Sequence, residues 1–280
     1  MTPALDAGSF IGRTLASVRA QSYPNVEHVV VDGGSSDDTV ALARAGGAVR
    51  ILVEPGLGQA AAVNRGVAAG RGELVLVLNA DDVLYPDGIA LLVEALAADP
   101  AVAAAYGDAV HIDAADALIA PYPARAFDAA ALLEECYICQ PAAMVRRAAF
   151  EAIGGMDPRL DVALDYDFWI RLSREQTLRK VDGLIAGSRM HRGNKTLSRR
   201  GDVYREVLHI LRAHYGYVPY SWAFAYASWL LQRADGFFER PRPTPAAVLG
   251  SLALGLWLNP AHPVRYLRDW YEHRSIAGRR

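Results

Sequence analysis

Two neighbouring carboxylates, Asp81 and Asp82, follow Asn79-Ala80 at the end of an unbroken apolar run, Leu74 to Leu78. Five consecutive apolar residues are the pattern of a strand buried on both faces, as inside a parallel sheet. In open α/β sheets, ligands bind beyond the carboxyl ends of such strands. Paired acids placed there suit a hard divalent cation, Mn²⁺ or Mg²⁺, which prefers oxygen ligands. Capping the turn into Tyr85-Pro86 is the other use for two such residues. A third acid, Asp32, ends the short apolar strand His28 to Val31, ahead of Gly33-Gly34-Ser35-Ser36-Asp37-Asp38-Thr39. Ser35 or Ser36 can cap a helix whose first turn carries Asp37 and Asp38. Asp32 is left over, where a ribose hydroxyl or a base N–H would be bound. A fourth acid, Asp165, stands at the start of the aromatic-rich amphipathic helix expected within Asp161 to Leu172, where a side chain can point into a site.

The elements that must position these residues alternate between strand and helix. Ser9 to Gln21 reads as a helix, with Phe10, Ile11, Leu15 and Val18 on one side and Ser9 as N-cap, and Tyr23-Pro24-Asn25 breaks it. Val49 to Val53 is a third strand, followed by Glu54-Pro55-Gly56-Leu57-Gly58 and an Ala-rich helix through Asn64 to Ala69. Gly56-x-Gly58-x-x-Ala61 imitates a dinucleotide fingerprint, but that motif opens the first βαβ unit and wants an acid ending the next strand. Here two units precede it, and the next strand ends in Asn79. Ile89 to Ala97 is a helix ended by Asp99-Pro100, and Val102 to Tyr106 is a strand. Residues 113–127 read as loop, Ile138 to Val145 as extended, and Arg147 to Ile153 as a helix stopped by Gly154-Gly155. Leu184 to Met190 is the last strand, and it leads into the polar segment His191 to Thr196.

The chain has 280 residues, 52% of them hydrophobic and 21% charged, so it is globular and not disordered. Its net charge of −2 hides an asymmetry. Residues 1–135 hold 7 Arg against 18 Asp or Glu, whereas residues 136–280 hold 22 Lys or Arg against 13 Asp or Glu. A basic C-terminal half can attract phosphates or an anionic membrane surface, or dock on the acidic half. No basic, aromatic-interleaved repeat marks a nucleic-acid groove, so no nucleic-acid partner is expected. Cys136 and Cys139 are spaced C-x-x-C, but no second ligand pair follows, and they read as two buried thiols. With two cysteines and no signal peptide, the expected compartment is the cytoplasm. No segment reaches the roughly 18–20 apolar residues that span a bilayer. From about Asp202 the chain becomes helical and aromatic-rich, with Trp222, Tyr226, Trp229, Phe237 and Phe238. Ala246 to Leu258 is nearly all apolar. It is either half of a packed helical pair or an interfacial helix at the inner face of a membrane, the latter favoured by Trp257 with Arg240, Arg242, Arg265 and Arg268.

Assembled in order, these motifs resemble the family 2 inverting glycosyltransferases of the GT-A fold, closest to bacterial members acting on surface glycans. The match covers roughly residues 2–200. Asp32 to Thr39 resembles the nucleotide-binding turn, and Gly58-Gln59-Ala60-Ala61-Ala62-Val63-Asn64-Arg65-Gly66 a second donor-binding helix. Asn79-Ala80-Asp81-Asp82 resembles the DxD region with Asn for the first Asp, and Leu164 to Arg171 the segment carrying the catalytic base. The resemblance implies an α/β, Rossmann-like GT-A domain over 1–200, with a mostly parallel central sheet flanked by helices, and a helical extension over 201–280. It implies transfer of a sugar from a UDP, GDP or dTDP donor to a glycan or lipid-linked glycan hydroxyl, with inversion, in lipopolysaccharide or exopolysaccharide synthesis. A non-catalytic nucleotide-sugar-binding protein of the same fold is the alternative. On the resemblance, Asp165 is the base, with Asp167 as rival, and Mn²⁺ or Mg²⁺ is held by Asp81 and Asp82. Donor contacts would come from Pro3, Asp32, Glu54, Asn64, Arg65, Asn79, Ala80, Asp81, His191 and Lys195. The family also places a hydrophobic strand ahead of Thr2-Pro3, between the strands at 28–32 and 74–79. Because Met1 stands directly before Thr2, the expectation is a start further upstream.

Overall fold

The computed structural model describes residues 1–46, 50–233, 238 and 243–274. These fall into two compact units, one formed by 1–128 with 136–191 and the other by 129–135 with 192–280.

The first unit begins with β1 (Thr2–Ala4), α1 (Ile11–Arg19), β2 (Val29–Asp32), α2 (Thr39–Ala45), β3 (Arg50–Val53) and α3 (Gln59–Ala69). The three strands form a parallel sheet in the order β1-β2-β3, with Ala4 opposite Asp32 and Asp32 opposite Val53. Val30 and Val31 are fully buried because helices cover both faces, as a parallel sheet requires. Next come β4 (Leu74–Leu76), β5 (Val83–Leu84), α4 (Gly88–Ala98), β6 (Val102–Ile112), β7 (Leu118–Pro121), β8 (Ala143–Arg146), α5 (Arg147–Ala152), α6 (Leu164–Glu175) and β9 (Thr177–Arg189). They build a second sheet in the order β4-β8-β6-β9-β5, with β7 on β6. There only β6 and β9 run parallel; β8 lies antiparallel between β4 and β6.

The two sheets meet at the chain start. The amine of Met1 donates to the Leu76 carbonyl at 2.7 Å, and Leu78 N–H donates to the Met1 carbonyl at 3.0 Å. The first residues thus bond to β2 on one side and to Leu76 and Leu78 on the other.

Other expectations shift as well. The run Leu74 to Leu78 is not a five-residue parallel strand: its ladder is three residues long and pairs antiparallel with β8. Val49 lies outside the described residues. β6 runs on to Ile112, and residues 113–127 contain β7. The extended stretch at 138–145 includes a 3₁₀ turn, Gln140–Ala142, before β8. Neither Ser9 nor Ser35 nor Ser36 caps a helix; α1 starts after Phe10 and α2 after Asp38, each without a side-chain cap.

The second unit is helical, with α7 (Lys195–Ser198), α8 (Arg200–Tyr215), α9 (Tyr220–Gln232), α10 (Pro245–Leu258) and α11 (Pro263–His273). α10 packs on α9 through Ala247 and against Tyr266 of α11, whose hydroxyl donates to the Ser251 carbonyl at 2.7 Å. Leu249 and Trp257 of α10 remain 63% and 70% exposed, so this apolar helix buries one side only. Phe237, Arg240 and Arg242 lie outside the described residues. None of the described helices is long and apolar enough to cross a membrane.

Candidate active site

Leu78 is buried, and the chain leaves it in a turn closed by Asp82 N–H donating to the Asn79 carbonyl at 3.2 Å. One face of α1 holds that turn. Thr14 Oγ1 donates to the carbonyls of Ala80 and Asp82 at 2.9 and 2.8 Å. Ser17 Oγ accepts from Leu84 N–H at 3.0 Å, and Gln21 accepts from Ile89 N–H at 2.9 Å while donating to the Tyr85 carbonyl at 2.8 Å. Thr14 and Ser17 lie on one side of the helix, and Gln21 follows just beyond its end.

The two acids take different roles. Asp82 is buried; it accepts from Arg189 N–H at 2.8 Å and from Asn79 Nδ2 at 3.0 Å. Burial, followed by the adjacent Asp81 charge, pushes its carboxyl well above the usual range. Asp81 keeps a partly exposed carboxylate, with one oxygen 3.1 Å from His191 Nε2. His191 in turn lies against the Phe10 ring, centroids 4.5 Å apart. Asn79 is the hub of an amide network, accepting from Gln59 at 3.0 Å and Gln140 at 3.3 Å.

Arg189, fully buried at the end of β9, ties this corner together. It donates to the carbonyls of Asp81 (2.7 Å) and Asp113 (2.8 Å), pairs with Asp116 at 2.5 Å and stacks over Phe10. The sequence reading did not single it out. An arginine at the end of an apolar strand is nevertheless a signal, because a buried charge must be partnered.

The Asp32 turn is built differently from expectation. Asp32 is buried and already occupied: Oδ1 accepts from Gly34 and Ser35 N–H at 2.9 and 2.8 Å, and Ser35 Oγ donates to Oδ2. Gly34 has φ +99°, and a Cβ there would meet Pro55 at 3.0 Å, so the turn needs glycine. The serines stitch it to the segment after β1. Ser35 Oγ accepts from Asp6 N–H, Ser36 N–H donates to Asp6, and Gly8 N–H donates to Asp37. Those bonds, led by the Thr39 hydroxyl on its carboxylate, hold Asp37 below the usual carboxylate range.

Asp165 stands in the first turn of α6, half-buried. Burial raises its pKa to about 6. Burial first of all pushes the Tyr122 hydroxyl and the Cys139 thiol up; the Asp165 charge adds to both, and Asp82 adds more than Asp165 at Cys139. Asp165 and Asp82 thus both act on the Cys139 thiol. Asp167 is buried and paired with Arg171 at 2.7 Å, whose other nitrogens donate to the carbonyls of Ile153 and Gly155. It anchors a turn.

The remaining predicted donor residues are spread out. Pro3 is buried within β1, and Ala80 is buried in the turn. Asn64 clamps Met156, donating to its carbonyl at 2.7 Å and accepting from its N–H at 2.8 Å. Glu54 and Arg65 pair with each other at 2.6 Å near the surface. Lys195 begins α7 in the second unit. Cys136 is half-buried, Cys139 is buried, and neither is in a disulfide.

With this geometry in place, comparison with known proteins decides the family. The model of glycosyl transferase family 2 matches residues 1–154. The chain belongs to that family. It is 26% identical to chondroitin synthase of Escherichia coli over 73% of this chain and 30% of that protein. It is 32% identical to the O-antigen biosynthesis protein RfbC of Myxococcus xanthus over 62% of this chain and 14% of that one. The chain therefore spans under a third of the length of either relative. Among solved structures, S. aureus TarS in complex with UDP is similar at TM-score 0.60 and 16% identity, over 99% of this chain and 89% of that one. The mannosyltransferase PcManGT from Pyrobaculum calidifontis, in complex with GDP-Man and Mn²⁺, is similar at TM-score 0.58 and 20% identity, over 99% and 84%. These neighbours establish the GT-A type fold, and the dinucleotide reading of Gly56-x-Gly58 falls, since that loop follows the edge strand β3.

Proposed function

We propose that this protein transfers a sugar from a nucleoside diphosphate donor to an acceptor hydroxyl, with inversion, in the building of a surface glycan. The observation that carries the reading is Asp165, a half-buried carboxyl in the first turn of α6 whose pKa burial raises to about 6 and whose charge, like that of Asp82, acts on Cys139. The acceptor oxygen bonds to the anomeric carbon as the bond from that carbon to the diphosphate oxygen breaks. The diphosphate leaves with the electron pair, and Asp165 takes the acceptor proton. A base near neutrality holds that proton well without being protonated beforehand.

Among the described residues no group of three or more His, Cys, Asp or Glu is placed to hold a metal. Asp81 and His191, 3.1 Å apart, are a two-residue donor set compatible with Mn²⁺ or Mg²⁺, the rest of its coordination coming from water and donor oxygens. Asp82 would support them from behind through Asn79 and Arg189. A cation there would offset the charge that gathers on the departing diphosphate. Asp32 and its turn would face the nucleoside, with Asn64 acting through Met156. Lys195 is proposed as a further diphosphate contact, and a lipid-linked glycan as one form of acceptor.

Thermal unfolding with added ligands tests this reading. UDP or GDP with Mn²⁺ should raise the midpoint, by about 2.7 kcal/mol of stability at a hundred-fold excess over Kd, and NAD should not. Stabilisation by NAD alone would overturn it.

A further inference from the structure

The helical unit carries a pocket of about 350 Å³ at the junction of α7 and α8, closed on the other side by the end of α9. Arg199, Arg200, Arg205 and Arg233 line it together with Asp202. Asp202 orders two of them, accepting from Arg199 Nε at 2.7 Å and pairing with Arg205. Trp229 forms part of the wall, with the Arg233 guanidinium stacked 4.4 Å over its ring. Guanidinium groups suit phosphate because their planar forks match its oxygens two at a time.

A second observation points the same way. Arg233 caps α9 in the left-handed conformation, φ +53° and ψ +13°. Helices that end so ordinarily carry glycine, and α8 does, with Gly216 at φ +63°. α9 instead carries a long cation at a strained position, and strain of this kind clusters where a side chain is needed. Leu230 and Leu231, just before it, are 42% and 55% exposed. A phosphate borne on a lipid would find both its charge and its apolar neighbour matched.

We propose that this pocket is a phosphate-binding site, taking the phosphate of a lipid headgroup or a free phosphate through Arg199, Arg200, Arg205 and Arg233. The proposal does not rest on the transfer chemistry and stands whether or not that reading holds.

The test uses the full chain and Arg233→Gly, which removes the cation while relieving the backbone, so its unfolding midpoint should not fall. Arg205→Gln is the second variant, at an exposed side chain. Each protein is sedimented with phosphatidylcholine vesicles with and without phosphatidylglycerol, and separately titrated with inorganic phosphate in a calorimeter. Binding to the anionic vesicles that drops about five-fold in each variant supports the site with a lipid source. Calorimetric phosphate binding lost in the variants, without vesicle binding, supports it with a soluble source. No binding in either arm, or binding that both variants retain in full, overturns it.

Discussion

A carboxyl with a pKa near 6 is ionised at neutral pH and protonated in mild acid, so the proposed role of Asp165 has a visible titration. Its base form is lost as pH falls through about 6. Accordingly kcat/KM should be flat above that point and fall about ten-fold per pH unit below it, read from initial rates of nucleoside diphosphate release. A profile flat from pH 7 to 5 would remove Asp165 from the proton transfer. Arg189 makes a different prediction. Replacing it with Met takes their donor from the carbonyls of Asp81 and Asp113 and leaves Asp116 paired with Arg13 alone. The loss should be about 3 kcal/mol, measured by urea unfolding, and a loss below about 1 would mean the arginine is dispensable.

At the scale of elements, α1 holds the acid turn through Thr14 and Ser17, with Gln21 just past its end. Thr14→Val keeps the shape and removes the hydroxyl that serves the carbonyls of Ala80 and Asp82. It should cost about 1–3 kcal/mol in denaturant unfolding and weaken donor affinity in a titration, since the turn then wanders. A variant as stable as the parent, with unchanged affinity, would contradict that support.

Much of this layer was legible beforehand. α5 stops where Gly154 and Gly155 take φ of +80° and +69°, as glycines after an apolar helix predict. The reading failed where a residue's partner is remote. β6 was cut short at Gly107-Asp108, although its ladder with β9 continues past them with a shift in register. The first half of β9 was missed because Arg179, Lys180 and Asp182 make it polar. The antiparallel seat of β8 has no local signature at all. Within the site, the order of motifs was readable but the division of labour was not. Asp81 and Asp82 are identical in type, and only the remote Arg189 and Asn79 decide which one is buried. The backbone partners of Asp32 and Asn64 were not legible either: Gly34 and Ser35 N–H on the first, and Met156 on the second.

For the whole molecule, family membership and fold are established, and the reaction is what remains to be measured. The account rests on Asp165 taking the acceptor's proton while the donor is held elsewhere in the site. The direct measurement compares the purified protein with Asp165→Asn against a panel of sugar nucleotides, scoring acceptor-dependent release of nucleoside diphosphate alongside donor affinity by calorimetry. The account predicts unchanged donor affinity and a loss of turnover of about 10²–10⁴-fold in the variant. Turnover close to the parent, or a collapse of donor affinity in its place, would contradict it.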